Sequence, residues 1–265
     1  MKYAMLKKIS EDQIPVPEML FLGEEEYEYY QENKKLSELL QKKVENFILQ
    51  IEESNKLPLV SIRCESKRTN ENRAPVSIVN VGIEHLLSKD EYGDIKEKLS
   101  TAVYESYQDR KKHYVKETNP IRFGSILEEI CFFVTLVYDK INDLGYIGNK
   151  GIIIQRMVFG NYDHKSGTGI CCNYPGEITK ESHCKGIFIP GVCGIPSIKG
   201  CWGTGEMSLE EFMCLNPKAY NDLHNIFAFL ESKYGANPYI EFTCEGEKLY
   251  ILQYEIRQRF VQKGK

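Results

Sequence analysis

The stretch from Gly151 to Pro175, GIIIQRMVFGNYDHKSGTGICCNYP, constrains this chain most. It opens with a β-branched run, Ile152-Ile153-Ile154, and continues through Gln155-Arg156-Met157-Val158-Phe159-Gly160-Asn161. A polar turn and Ser166-Gly167-Thr168-Gly169 lead into a second apolar run, Ile170-Cys171-Cys172. Apolar runs bounded by Gly and Asn predict two buried strands joined by a tight connection that glycine permits. The Ser166–Gly169 piece offers N–H groups and hydroxyls with no Cβ in the way, which suits a phosphate. The more frequent use of such glycines is a structural turn.

With 265 residues, 42% hydrophobic and 27% charged, the chain is long enough for one large domain or two lobes with a substantial core. A net charge of −4 argues against a dedicated nucleic-acid binder, which carries a basic footprint. The apolar runs are far shorter than a membrane span, and MKYAMLKKISEDQ lacks a signal-peptide core, so no membrane association is expected. Nine cysteines with no CxxC pair predict reduced thiols and a cytoplasmic location rather than zinc or a disulfide framework.

Ile14-Pro15-Val16-Pro17 excludes helix interior, because two prolines remove donors and fix φ. A charged helix is predicted from Glu24, and another from Leu36 to Ile51, with Leu36, Leu39, Leu40, Val44, Phe47, Ile48 and Ile51 at helical spacing. Leu57–Arg63 reads as a short strand, and Ile126–Leu144 as helix. So does the amphipathic Asp90–Tyr107, which is followed by a basic run, Arg110-Lys111-Lys112, of the kind that usually marks a solvated face. Leu209–Lys233 is predicted to be helical, opened by a capping box of Ser208 and Glu211. Tyr239–Cys244 and Lys248–Gln253 form a predicted hairpin with a glycine in its loop. A three-residue connection, 245–247, pairs Glu241 with Ile251 and puts Gln253 diagonally on the same face as Glu241. Two oxygen ligands then converge, suited to Mg²⁺ shared with phosphates.

QRMVFGN followed by SGTG resembles the nucleotide-binding domain of the pyruvate phosphate dikinase and phosphoenolpyruvate synthase family. The resemblance implies an α+β, two-lobed ATP-grasp fold, stand-alone and trimmed. Lobe 1 would span about 1–82, a helical segment about 83–148 and lobe 2 about 149–260. It places Gln155, Met157 and Val158 against the adenine and Ser166, Gly167, Thr168 and Gly169 beside the nucleotide. It also puts Lys2 at a triphosphate lysine and Arg63 at an arginine that contacts the transferred phosphate. Glu-Phe-Thr with Leu-Gln twelve residues on is kept as Glu241-Phe242-Thr243 and Leu252-Gln253, implying Glu241 and Gln253 as metal ligands.

The chain also departs from that pattern. The glycine-rich loop expected after Arg63 reads Cys64–Pro75 without a glycine, and Ile187 and Ile195 stand where the family has acids. Glu255 replaces an arginine, so either Glu255 joins the metal shell or Arg257 takes the phosphate. Gly200–Gly205 could form an anion loop but reads more readily as a turn. The resemblance implies a phosphotransferase that uses ATP and Mg²⁺. Its acceptor would be a small molecule or a phosphohistidine carrier on a separate chain. A nucleotide-binding pseudoenzyme or regulatory subunit is the alternative, and an ATP-grasp ligase forming an acyl phosphate ranks third.

Overall fold

The computed structural model describes residues 2–54, 56–64, 77–83, 85, 123–143, 150–173, 184–192, 205–235 and 238–256. The amphipathic 90–107 stretch, the basic run 110–112, most of the glycine-free loop, Ile195, the 200–204 glycine segment and Arg257 lie outside them. The architecture is α+β, with helices packed on antiparallel sheets. The chain forms two compact units. An inserted unit comprises Glu18–Met157, and a split unit joins Met1–Pro17 to Val158–Lys265. The boundaries expected from sequence were about 82 and 149.

In the inserted unit, β1 (Met19–Leu22), β4 (Ile152–Arg156), β2 (Val60–Cys64) and β3 (Ser77–Val81) lie side by side in that order, every neighbour antiparallel. The isoleucine run supplies β4, which pairs on both edges and is buried along its whole length. Strand β1 is too short to show a period in sequence and was not predicted. Helix α2 (Glu24–Asn33) turns Tyr27 and Tyr30 inward against Tyr138, with ring centroids 5.5 Å apart in both pairs. Helix α3 (Glu38–Glu53) starts at Ser37, whose Oγ accepts from Leu40 N at 3.0 Å. It buries Leu40, Val44, Phe47, Ile48 and Ile51 as predicted, but Leu39 is 62% exposed. One helical step from Leu40, Leu39 points off the apolar stripe. Helix α4 (Ile126–Asp143) packs on α3, β2 and β3.

Glu18 ties the two ends of this unit together. Its carboxylate accepts from Lys56 Nζ at 2.5 Å and Arg156 Nε at 2.6 Å, and its carbonyl accepts from Arg156 N at 2.9 Å. Burial alone would raise its pKa, but the hydrogen bonds from Lys56 and Arg156 outweigh it and bring the value down from 4.5 to about 2. A carboxyl depressed in this way stabilises the fold above its unfolded value, and that stabilisation is lost as pH falls from about 4.5 through about 2. Glu18→Gln should therefore lower the melting temperature at neutral pH and flatten the acid side of the stability curve in that window. Thermal melts across pH check both effects; parallel curves would overturn the assignment.

The split unit has a five-stranded antiparallel sheet ordered β7 (Met207–Ser208), β6 (Cys184–Pro190), β5 (Gly167–Asn173), β8 (Pro238–Glu245) and β9 (Lys248–Ile256). Phe188 and Phe242 of the sheet pack on Phe212 of helix α5 (Leu209–Leu215), which is stacked 4.2 Å from Phe188, and helix α6 (Pro217–Tyr234) packs on α5, β8 and β9. The capping box forms at Ser208 and Glu211. The single helix expected from Leu209 to Lys233 is instead two, broken at Asn216-Pro217. Proline disfavours α geometry in the residue before it, and Asn216 (φ −142°, ψ 74°) leaves the helix to cap the next one, accepting from Ala219 N. Helix α1 (Lys2–Glu11) packs on β9, and Pro15 O accepts from Ile251 N at 2.9 Å.

Candidate functional site

One face of the five-stranded sheet carries the aromatic core against α5 and α6; the other carries the polar residues. Directly opposed residues point the same way, so the pairing writes out the second face in rows. One row reads Lys185, Cys172, Tyr239, Glu255 across β6, β5, β8 and β9. The next reads Ile187, Ile170, Glu241, Gln253.

The hairpin that builds this pair differs from the predicted one. Its connection is two residues, Gly246-Glu247, with Glu245 paired to Lys248. Gly246 adopts φ +63°, which suits the first central position of a type II′ turn, so a third loop residue is not needed. The ladder therefore pairs Phe242, not Glu241, with Ile251. A bulge then inserts Leu252 as an extra residue and brings Gln253 directly opposite Glu241. Glu241 and Gln253 share a face, as expected, but as direct neighbours rather than on a diagonal.

Glu255 joins them. Gln253 Nε2 donates to Glu255 Oε1 at 2.7 Å, and Tyr239 Oη donates to Glu241 Oε1 at 3.4 Å. Gln253 is 7% exposed, while Glu241, Glu255 and Tyr239 are half-buried. Two carboxylates and an amide oxygen form a hard-oxygen donor set, and Mg²⁺ commonly takes one or two protein carboxylates and completes its shell with phosphates and water. The residues present thus fit that ion. Among the described residues no group of three His, Cys, Asp or Glu side chains converges as a protein-only cage.

Ser166–Gly169 sits elsewhere. Strand β5 begins at Gly167, three residues before the predicted apolar run, and lies between β6 and β8, so its backbone groups are spent on two ladders. Gly167 and Gly169 point to the core side: a Cβ at Gly167 would lie 2.3 Å from the Phe188 ring, and one at Gly169 would lie 2.4 Å from the Phe242 ring. These two glycines make room for aromatic packing. Ser166 Oγ donates to Asp163 Oδ1 at 2.7 Å and accepts from Gly246 N at 2.8 Å. The first of these bonds, against the opposing pull of burial, holds the Asp163 carboxyl below its usual range. Thr168 Oγ1 contacts Val192 O at 2.6 Å and Thr243 Oγ1 at 2.9 Å. Asn216, fully buried, donates to Lys165 O at 3.1 Å and Gly246 O at 2.9 Å. It thereby fixes the turn before β5 to the hairpin tip. Its sequence signal is an Asn before Pro at a helix start, the pattern of an N-cap.

In the inserted unit, Arg63 and Gln155 come together: the Arg63 guanidinium donates to Gln155 Oε1, and the two share a sheet face with Ser61. Met157 N donates to Leu59 O at 2.8 Å, and Met157 O accepts from Arg156 Nη1 at 2.7 Å. Met157 is the last residue of the inserted unit, and Val158, buried, is the first of the split unit's second segment. Lys2 opens α1, its side chain lying outside the described set. Arg156, the second residue of QRMVFGN, was not singled out in sequence, yet it is the residue through which Glu18 anchors β4.

Comparison with known proteins adds a relationship over part of this length. The chain is 33% identical to pyruvate, phosphate dikinase of Giardia intestinalis over 122 residues, which is 44% of this chain and 13% of that protein. It is 31% identical to the pyruvate, phosphate dikinase of Rickettsia conorii over 127 residues, 47% of this chain and 14% of the relative. Against the chloroplastic pyruvate, phosphate dikinase 1 of Zea mays it is 33% identical over 116 residues, 44% and 12% of the two chains. Close to half of this chain is similar to part of pyruvate, phosphate dikinase. It spans only about an eighth of the length of these relatives. No family model matches it. Among the described residues, no helix is long and apolar enough to cross a membrane.

Proposed function

We propose that this chain is an ATP-grasp-type nucleotide-binding protein that uses Mg²⁺ to pass phosphate from ATP to an acceptor. The acceptor is a small molecule or a phosphohistidine carrier on a separate chain, and the setting is cytoplasmic. The observation that carries the reading is the Glu241–Gln253 pair, directly opposed on the sheet face turned away from the helices, with Glu255 held beside it. The partial similarity to pyruvate, phosphate dikinase supports ATP as the phosphate source. Glu241 and Gln253 would hold Mg²⁺, which when bound supplies positive charge against the phosphate oxygens. The residues of this chain would then orient the metal: Tyr239 steadies one Glu241 oxygen, and the Gln253 amide holds Glu255 beside the pair, one row away. Nucleotide contacts by Arg63, Gln155, Met157 and Val158 belong to the same proposal.

A second reading is favoured by one observation. Glu255 adds a carboxylate to the face that would meet phosphates, a repulsion of a few kcal/mol at ~4 Å and an effective dielectric of ~20 unless metal offsets it. A nucleotide-binding pseudoenzyme tolerates that better than a catalyst. Melting with MgATP and incubation with γ-labelled ATP separate the two readings. Nucleotide at about 100 times its dissociation constant should stabilise the fold by about 2.7 kcal/mol. Stabilisation with ADP release or label transfer means enzyme, and stabilisation alone means pseudoenzyme. If millimolar MgATP neither stabilises the fold nor produces heat in calorimetry, both readings fall.

A further inference from the structure

The polar face holds Glu241, Glu245 and Glu255, which on charge alone repel a polyphosphate. A bound metal offsets part of that charge at one end, so a second positive group on the same face is needed to hold the rest of an extended phosphate chain. Two lysines among the described residues are placed there by the pairing. Lys248 stands at the hairpin tip, directly opposite Glu245, with its ammonium 5.1 Å over the Tyr250 ring. Lys185 is exposed on β6 and heads the row Lys185, Cys172, Tyr239, Glu255, one row from the Glu241–Gln253 pair. Three strand spacings, roughly 14 Å, separate the backbones of Lys185 and Glu255, and only a thiol and a phenol stand between them in the row.

We propose that Lys185 is the phosphate-gripping cation of this face, and that a metal-bound polyphosphate lies across the sheet from Glu241–Gln253 toward Lys185. This rests on the nucleotide reading above and adds to it a residue that its motifs do not contain. A lysine suits the position: its charge sits on a long flexible stem and follows phosphate oxygens without demanding fork geometry. The direction of the chain across the sheet follows, over Cys172 and Tyr239 rather than along β8 to the hairpin tip.

Calorimetry on the full chain tests it with MgATP, magnesium tripolyphosphate and adenosine as probes. Lys185→Met should weaken MgATP and magnesium tripolyphosphate by about tenfold or more, the size of one charge-assisted hydrogen bond. It should flatten the salt dependence of both, leave adenosine binding unchanged, and be largely rescued by Lys185→Arg. Lys248→Met should bind as the parent does. The inference is overturned if Lys185→Met binds MgATP like the parent, if it loses adenosine equally, or if Lys248→Met produces the loss instead. A parent that binds neither MgATP nor magnesium tripolyphosphate would fail the nucleotide reading itself, a result distinct from a parent that binds and a variant that does not care.

Discussion

Glu241→Gln should leave the fold close to intact and reduce Mg²⁺-dependent ATP affinity by about tenfold to a hundredfold. The fold survives because Glu241 is half-buried on the polar face while its neighbours Ile240 and Phe242 fill the core side. A glutamine also keeps the side-chain volume and an acceptor for Tyr239 Oη. What it removes is the negative charge that a hard divalent cation needs. The loss should appear only with Mg²⁺ present, so the measurement is paired calorimetry with and without the metal. Identical MgATP binding by variant and parent would make Glu241 an ordinary strand residue and remove the observation on which the nucleotide reading rests.

The largest expected loss of stability lies in the inserted unit. Glu129, in the first turn of α4, is fully buried, with its two oxygens accepting from Gly82 N at 2.7 Å and His85 N at 3.0 Å. One carboxylate thereby holds the chain as it leaves β3 through Asn80 and Gly82, both at positive φ. Glu129→Ala strips two buried N–H groups of their acceptor, at about 1–3 kcal/mol each, so a loss of about 3 kcal/mol or more is expected. Glu129→Gln, which keeps one oxygen, should fall between. Urea unfolding of the full chain measures this. A loss under about 0.5 kcal/mol for the alanine variant would mean that the carboxylate is replaceable by water, as at an ordinary surface site.

What could be read from sequence follows from how local the cause is. Helix α3 was legible because Val44, Phe47, Ile48 and Ile51 repeat at helical spacing; its cap, Ser37, lies inside the stretch read as helix from Leu36. The capping box at Ser208 is equally local, but the break at Pro217 shows that a helical pattern on both sides of a proline does not make one helix. The α+β class was legible too. The shared face of Glu241 and Gln253 was reached by a register one residue out. The turn is tighter than assumed and the bulge at Leu252 compensates, and both depend on Gly246 φ and on partners in a neighbouring strand. The glycines of Ser166–Gly169 could not be interpreted alone, because their reason is the rings of Phe188 and Phe242, which arrive from other strands. Tyr239 and Arg156 have no local signal that gives their partners away, and their roles emerge only from what the fold sets beside them.

The Glu18–Arg156 link has a consequence for how such a chain can be assembled and cut. Met19 pairs with Gln155, so the inserted unit begins and ends on adjacent antiparallel strands, about 5 Å apart. To the split unit, the whole insertion is equivalent to a link of one strand spacing. Once the insertion has folded, its share of the loop that α1 must close to reach β9 shrinks to that short step, which leaves residues 158–247 to be closed. As the ribosome releases the chain, the insertion is complete while β9 is still unmade, and α1, with Leu6 and Ile9 facing inward, waits for its partner until β9 emerges. The same adjacency makes residues 17 and 158 natural endpoints for replacing the insertion with a short turn.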